Sequence, residues 1–252
     1  MVTSQEAKLF PKVLVAIPTY EGKDYMLHNC FAAVKKFTYP NFEVIIIDNS
    51  RNINYYTKLM RLGYKSNVIK RVPRGDNSRQ ALCNAQNYAR NKAITENFDY
   101  LLFVESDLLP QPNIIELLLS HAKKVVGSLY YIGTDIKVPC IFLKEYKKEH
   151  MANGTRLVGT KIQDGKKVLD QEEVSQYVGH GLKQVHGLGL GTTLISRDIF
   201  VQFPFWHDER FVDKHSDVYF YMDLDNAHIE VFVDTDIITP HYQSNWKDVK
   251  DR

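Results

Sequence analysis

The sequence predicts one α/β domain, a mostly parallel sheet flanked by helices, spanning residues 1–252. Three observations predict it. Short β-branched runs alternate with helical periodicity over the first 130 residues, the pattern of successive βα units. Polar clusters stand directly behind those apolar runs, where parallel strands present their carboxyl ends. A chain of this length also buries enough surface to fold without covalent staples.

Val13 to Ile17 reads as the first strand, stopped by Pro18, and Leu27, Cys30, Phe31, Val34 and Phe37 then recur at helical spacing. Val44 to Ile47 is the second strand and Asn67 to Val72 a weaker third, with a short helix at Tyr56 to Leu62 between them. Ser78 suits the N-cap of a long helix reaching Asn97, whose small face carries Ala81, Leu82, Ala85, Ala89 and Ala93. A strand at Tyr100 to Val104 runs into Glu105-Ser106-Asp107. A helix (Asn113 to Ala122) and a strand (Val125 to Tyr131) close this half.

Residues 144–184 shift to Lys, Glu, Gln and Gly, and read as an inserted lid or acceptor loop. Arg156 to Thr160 and Lys167 to Asp170 suggest a small hairpin around Asp164-Gly165. Order returns at Val185 to Ile195, followed by an aromatic turn (Phe203 to Trp206), a helix near Asp217 to Ala227 and a strand at Ile229 to Val233 that leads to Pro240-His241.

Composition narrows the function classes. A net charge of +2 is too mild to announce nucleic acid, and the lysines at 144, 147, 148, 166 and 167 read as a solvated region before a polyanion-binding patch. No apolar run reaches the length of a membrane span, and Met1 to Phe10 lacks a signal-peptide core, so a cytoplasmic location is expected. Cys30, Cys83 and Cys140 lie far apart and read as reduced core residues. The first βα turn, Pro18-Thr19-Tyr20-Glu21-Gly22, lacks the dinucleotide fingerprint, and there is no GxxxxGK[ST] loop.

The chemistry concentrates behind the strands: Pro18, Thr19, Tyr20 and Glu21 after the first, Asp48, Asn49 and Ser50 after the second, and Glu105, Ser106 and Asp107 after the fourth. In an extended segment Glu105 and Asp107 face the same side, where a hard divalent cation could neutralise them. Two acids ending a strand at the surface are the plainer alternative.

The arrangement resembles family-2-type glycosyltransferases of the GT-A, Rossmann-like fold over nearly the whole chain. Val15 to Tyr20 (Val-Ala-Ile-Pro-Thr-Tyr) resembles that family's first strand and nucleoside loop, and Ile45 to Ser50 its second strand with a base-contacting Asp. Ala89-Arg90-Asn91 is similar to the helix segment preceding the metal motif, and Glu105-Ser106-Asp107 stands where Asp-x-Asp would be. Gly189 to Arg197 resembles the acceptor-side glycine segment, Ser216-Asp217 the Glu-Asp site, and His241 a third metal ligand after a late strand.

The resemblance implies a nucleotide-diphospho-sugar donor, UDP- or GDP-linked, and Mn²⁺ or Mg²⁺ held by Asp107 and His241. Residues to about 131 then form the nucleotide-sugar half and those from about 132 the acceptor half. Thr19, Glu21 and Asp48 contact the nucleoside, with Pro18, Tyr20, Asn49, Glu105 and Ser106 beside them, and Arg90 forks onto a phosphate. Gly189 and Gly191 let backbone approach the sugar or acceptor, and Asp217 is the base of an inverting transfer. Glu105 replaces an Asp and Ser216 a Glu. An exposed helix charge for Arg90, a helix-terminal acid for Asp217 and a mere turn at the glycines are the bland alternatives. The rival functions are a retaining transferase without an Asp base, a sugar-nucleotide nucleotidyltransferase, and a non-catalytic sugar-nucleotide-binding protein. The acceptor is open among glycan, lipid-linked sugar, metabolite, protein side chain and modified DNA base.

Overall fold

A computed structural model describes residues 10–65, 68–133, 136–146, 153–163, 166–210 and 215–243. Strand β1 (Val13–Thr19) passes through a 3-10 turn (Glu21–Lys23) into α1 (Asp24–Val34). Then come β2 (Phe42–Asp48), α2 (Asn54–Arg61), β3 (Ile69–Arg71), α3 (Ser78–Thr95), β4 (Tyr100–Val104), α4 (Ile114–Ser120) and β5 (Val125–Leu129). The second half holds β6 (Tyr131–Ile132), β7 (Val138–Pro139), β8 (Ile141–Tyr146), β9 (Asn153–Leu157), β10 (Thr160–Gln163), β11 (Lys166–Leu169) and α5 (Gln171–Tyr177). It ends with β12 (Leu182–Val185), β13 (Gly187–Leu188), β14 (Thr192–Ser196), α6 (Arg197–Gln202), α7 (Ser216–Asn226) and β15 (Val231–Ile238).

Eight strands form the main sheet in the order β12-β15-β5-β14-β4-β1-β2-β3. The β3-β2-β1-β4 block is parallel, as is β15 on β5. β14 runs antiparallel between β4 and β5, and β12 antiparallel along β15, so the sheet is mixed. Alternation along the strands splits the core between the two faces. Ala16, Ile45, Ile47 and Phe103 meet α3, α6 and α7 on one face. Val15, Ile17, Ile46 and Val104 meet α1, α2 and α4 on the other. The buried Ala81, Ala85, Ala89 and Ala93 keep the contact face of α3 small, as the sequence periodicity predicts.

Three local expectations change. The N-cap of α3 is Asn77 and not Ser78: Asn77 is extended and its side chain accepts from Gln80 N at 2.9 Å. The small hairpin pairs β10 with β11, while Arg156 and Leu157 pair instead with Leu143 and Phe142 of β8; residues 164 and 165 lie outside the described residues. Within the polar insertion the described segments are strands and α5, tied by the Arg156–Glu173 ion pair and by Lys144 Nζ to Asp225 Oδ2 of α7 at 2.6 Å. Lys147 and Lys148 fall outside the described residues. All three cysteines are buried and free. Among the described residues no helix is long and apolar enough to cross a membrane.

Candidate active site

Strand direction assembles the site. β1, β2, β4 and β5 end on one edge, bringing Thr19, Asp48, Glu105 and Tyr130 to it. Because β14 is antiparallel, its amino end reaches the same edge with Gly191, whose carbonyl accepts from Glu105 N at 2.8 Å. β15 runs parallel to β5, so the chain leaving it returns past Thr239 and pairs His241 with Leu108.

Glu105, Asp107 and His241 meet at that edge, each offering one ligand atom within 4.8 Å of the others. Their backbone is a turn and not the extended segment expected: Leu108 N donates back to Glu105 O at 3.0 Å. His241 Nδ1–H donates to Tyr131 O at 2.8 Å, which turns Nε2 inward toward Asp107. Nε2 stands 3.3 Å from Asp107 Oδ2, without a partner of good geometry, and Asp107 Oδ1 is likewise buried and unpartnered. A buried carboxylate oxygen and an imidazole nitrogen left without partners are costly unless a further group satisfies them. The orphaned lone pairs and the carboxylate–imidazole set therefore fit a divalent ion of the Mn²⁺ type. Burial alone would raise the Asp107 pKa, but His241 and the Lys23 ammonium overcome it and hold the group at about 2. Glu105 moves the other way, raised by burial first and then by the Asp107 charge. Tyr130 OH leans on Glu105 Oε1 at 3.4 Å.

Two groups on this cluster are absent from the sequence expectations. Lys23 Nζ donates to Asp107 Oδ2, and Tyr25 OH reaches the same oxygen at 3.0 Å. Lys23 lies in the connection behind β1, where the carboxyl-end rule already points, and Tyr25 in the first turn of α1 that follows it.

A second polar cluster lies beside it at the ends of β1 and β2. Asp48 is fully buried, and its Oδ1 accepts from Ser50 N at 2.9 Å. Its Oδ2 has no hydrogen-bond partner and faces Arg71 Nε at 3.9 Å. Burial raises the Asp48 pKa, and the Ser50 bonds and Arg71 offset part of the rise. Thr19 is buried beside Asp48 in the strand register, and Thr19 O accepts from Asn49 N at 2.9 Å. Glu21 N donates to Ser50 Oγ at 3.0 Å, and Arg74 lies over the Tyr20 ring at 5.9 Å. A buried acceptor between aromatic and cationic walls suits the N–H edge of a base.

The glycosyl transferase family 2 model matches residues 14–156, which is more than half of the chain and includes both clusters except His241. The chain belongs to glycosyl transferase family 2. No curated protein matches the sequence. Among solved structures it is similar to the crystal structure of A197 from STIV, at 15% identity, a TM-score of 0.47, and coverage of 92% of this chain and 86% of that one.

In this family-2 chain the remaining expected site residues divide. Asp217, in the first turn of α7, is partly buried and accepts from Val218 N at 2.8 Å; loss of hydration lifts its pKa to about 6. Burial dominates the raised Glu105 pKa, and the Asp217 charge also adds to it. Ser216 Oγ, where a second acid was expected by resemblance, is buried on Gln86 Oε1 at 2.6 Å. Pro18 pairs with Ile47 inside the sheet, and Ser106 is buried in the acidic turn with an unpartnered Oγ.

Arg90 does not join them. Its Nε and Nη2 donate to the carbonyls of Phe200 and Val201, so the fork closes the end of α6 instead of a phosphate. Gly189 and Gly191 are also explained from within the protein. A Cβ on Gly189 would lie 1.8 Å from Tyr130 OH, and one on Gly191 2.8 Å from Tyr130 Cζ. The glycines make room for the tyrosine that supports Glu105.

Proposed function

We propose that the protein moves a sugar from a UDP- or GDP-linked nucleotide-diphospho-sugar to an acceptor hydroxyl, with Mn²⁺ or Mg²⁺, and with inversion. The observation that supports this reading is the convergence of Glu105, Asp107 and His241, each with a ligand atom within 4.8 Å of the others and with Asp107 Oδ1 and His241 Nε2 left unpartnered.

Asp48 Oδ2 would accept from the base, with Thr19, Tyr20, Glu21 and Asn49 shaping the pocket around it. Asp107 and His241 would hold the ion, and Glu105 would complete the set directly or through the ribose. When bound, the ion supplies Lewis-acid stabilisation of the departing diphosphate. Asp217 Oδ2 would take the proton of the acceptor hydroxyl as it attacks the anomeric carbon from the face opposite the phosphate. A base with a pKa of about 6 is ionised at neutral pH yet basic enough to help. The polar insertion, packed on α7 through Lys144 and Asp225, would meet the acceptor, whether glycan, metabolite or modified DNA base.

The test is release of nucleoside diphosphate from a panel of UDP- and GDP-sugars with Mn²⁺, by wild type and by Asp107→Asn. Release by wild type that Asp107→Asn abolishes supports the reading. A folded wild type that binds sugar nucleotides but turns over none with any acceptor refutes catalysis and favours a binding protein.

A further inference from the structure

The connection behind β1 carries an ammonium into the place a divalent ion would need. Lys23 is the last residue of the 3-10 turn and the N-cap of α1, with no side-chain capping bond of its own. Its Nζ reaches Asp107 Oδ2, the oxygen that also meets Tyr25 OH at 3.0 Å and His241 Nε2 at 3.3 Å. The Asp107 side chain is 0% exposed and that of Lys23 18%, so this pair lies deep in the cleft. Oδ2 is the oxygen that faces His241 Nε2 at 3.3 Å, so an ion seated between the two side chains would contact the oxygen that Lys23 holds. Two cations at one buried carboxylate oxygen repel strongly, so one has to leave.

Lys23 is built to leave. The turn Glu21–Lys23 buries no residue, Tyr25 is 42% exposed, and a lysine stem reorients its charge without moving backbone. The turn also spans the two clusters: Glu21 N is anchored on Ser50 Oγ beside Asp48, while Lys23 rests on Asp107. A diphosphate joining a base at Asp48 to an ion at Asp107 would run alongside it.

We propose that Lys23 is a donor-binding residue that exchanges partners, held by Asp107 before an ion binds and released onto the donor's diphosphate when an ion takes that carboxylate. This rests on Asp107 and His241 being the ion's ligands. The exchange couples two binding events. Ion alone is opposed by Lys23, whereas ion with nucleoside diphosphate gives the displaced ammonium new oxygens, so each ligand tightens the other by the same factor.

The experiment titrates wild type, Lys23→Met, Lys23→Gln and Asp107→Asn with Mn²⁺ alone, reading free ion by electron paramagnetic resonance, and repeats it with saturating UDP or GDP. Both Lys23 variants should bind Mn²⁺ alone about tenfold tighter than wild type, and the tightening caused by nucleotide should shrink about tenfold. A merely structural lysine would not improve affinity when removed. If either variant, with wild-type circular dichroism and melting, binds Mn²⁺ no better than wild type, the exchange is refuted. If Asp107→Asn also binds Mn²⁺ as well as wild type, the ligand assignment has failed and the inference falls with it. Loss in Asp107→Asn with no gain at Lys23 sinks the exchange alone.

Discussion

Replacing Asp217 by Asn should give a dead enzyme that is more stable than the wild type at neutral pH. Burial lifts the aspartate from its ordinary 3.8 to about 6, so the fold favours the protonated form. Between those values the folded chain binds more protons than the unfolded one, and stability falls as pH rises. Each tenfold change in proton affinity is worth about 1.4 kcal/mol, so keeping the carboxylate ionised above pH 6 costs the fold at most about 3 kcal/mol. The side chain still meets some water, which trims this to about 2–3 kcal/mol. Asn removes the charge and keeps the oxygen that accepts from Val218 N.

The alternative role for Asp217, a helix-terminal acid favoured by the α7 dipole, has the opposite sign. It predicts that Asn costs about 0.3–1 kcal/mol. Urea denaturation at pH 7.5 therefore separates the two, with a gain of about 2 kcal/mol expected. The melting temperature should rise by roughly 5 °C. Near pH 3 the advantage should almost vanish, because the wild-type carboxyl is then mostly protonated in both states. Wild-type transfer should also fall about tenfold per pH unit below the Asp217 pKa of about 6, as the base fills with protons. An Asp217→Asn chain that is less stable than wild type at pH 7.5, or that transfers sugar at near-normal rate, refutes this account.

Asp107→Asn and His241→Ala should each lower transfer by at least about 100-fold. In both, Mn²⁺ should no longer raise the melting temperature in the presence of nucleotide. Arg90→Ala should cost about 1–2 kcal/mol in a denaturant melt, since it strips donors from two helix-end carbonyls, and should leave the donor KM within about twofold. A tenfold rise in KM would return Arg90 to the phosphate. Gly189→Ala should destabilise by roughly 1–3 kcal/mol, because its Cβ collides with the Tyr130 hydroxyl. Adding Tyr130→Phe to that chain should restore part of the loss, measured by the same melts.

The acids were legible because hydrophobic runs mark strands and a parallel strand's carboxyl end is where the sheet presents ligands. β4 is read to the residue, Tyr100 to Val104, and Glu105 follows it at once. Direction is what periodicity does not carry. Thr192–Ser196 has the pattern of any buried strand, and nothing in it says that it enters between β4 and β5 upside down. That reversal presents the amino end of β14 to the site, so Gly191 arrives as backbone support for Glu105.

The side chains whose partners differ from the sequence reading fall into two kinds. Lys23 and Tyr130 stand just behind β1 and β5, so the same positional rule would have named them had it been applied to cations and phenols as well as to acids. Arg90 is the converse, assigned by family position alone, with no rule to say which way a residue on α3 faces. Its guanidinium finds carbonyls on α6, 110 and 111 residues away, a partner that only the packed chain can reveal. Where strand ends dictate geometry, sequence names the chemistry; where a helix surface must choose between solvent, ligand and neighbour, packing decides.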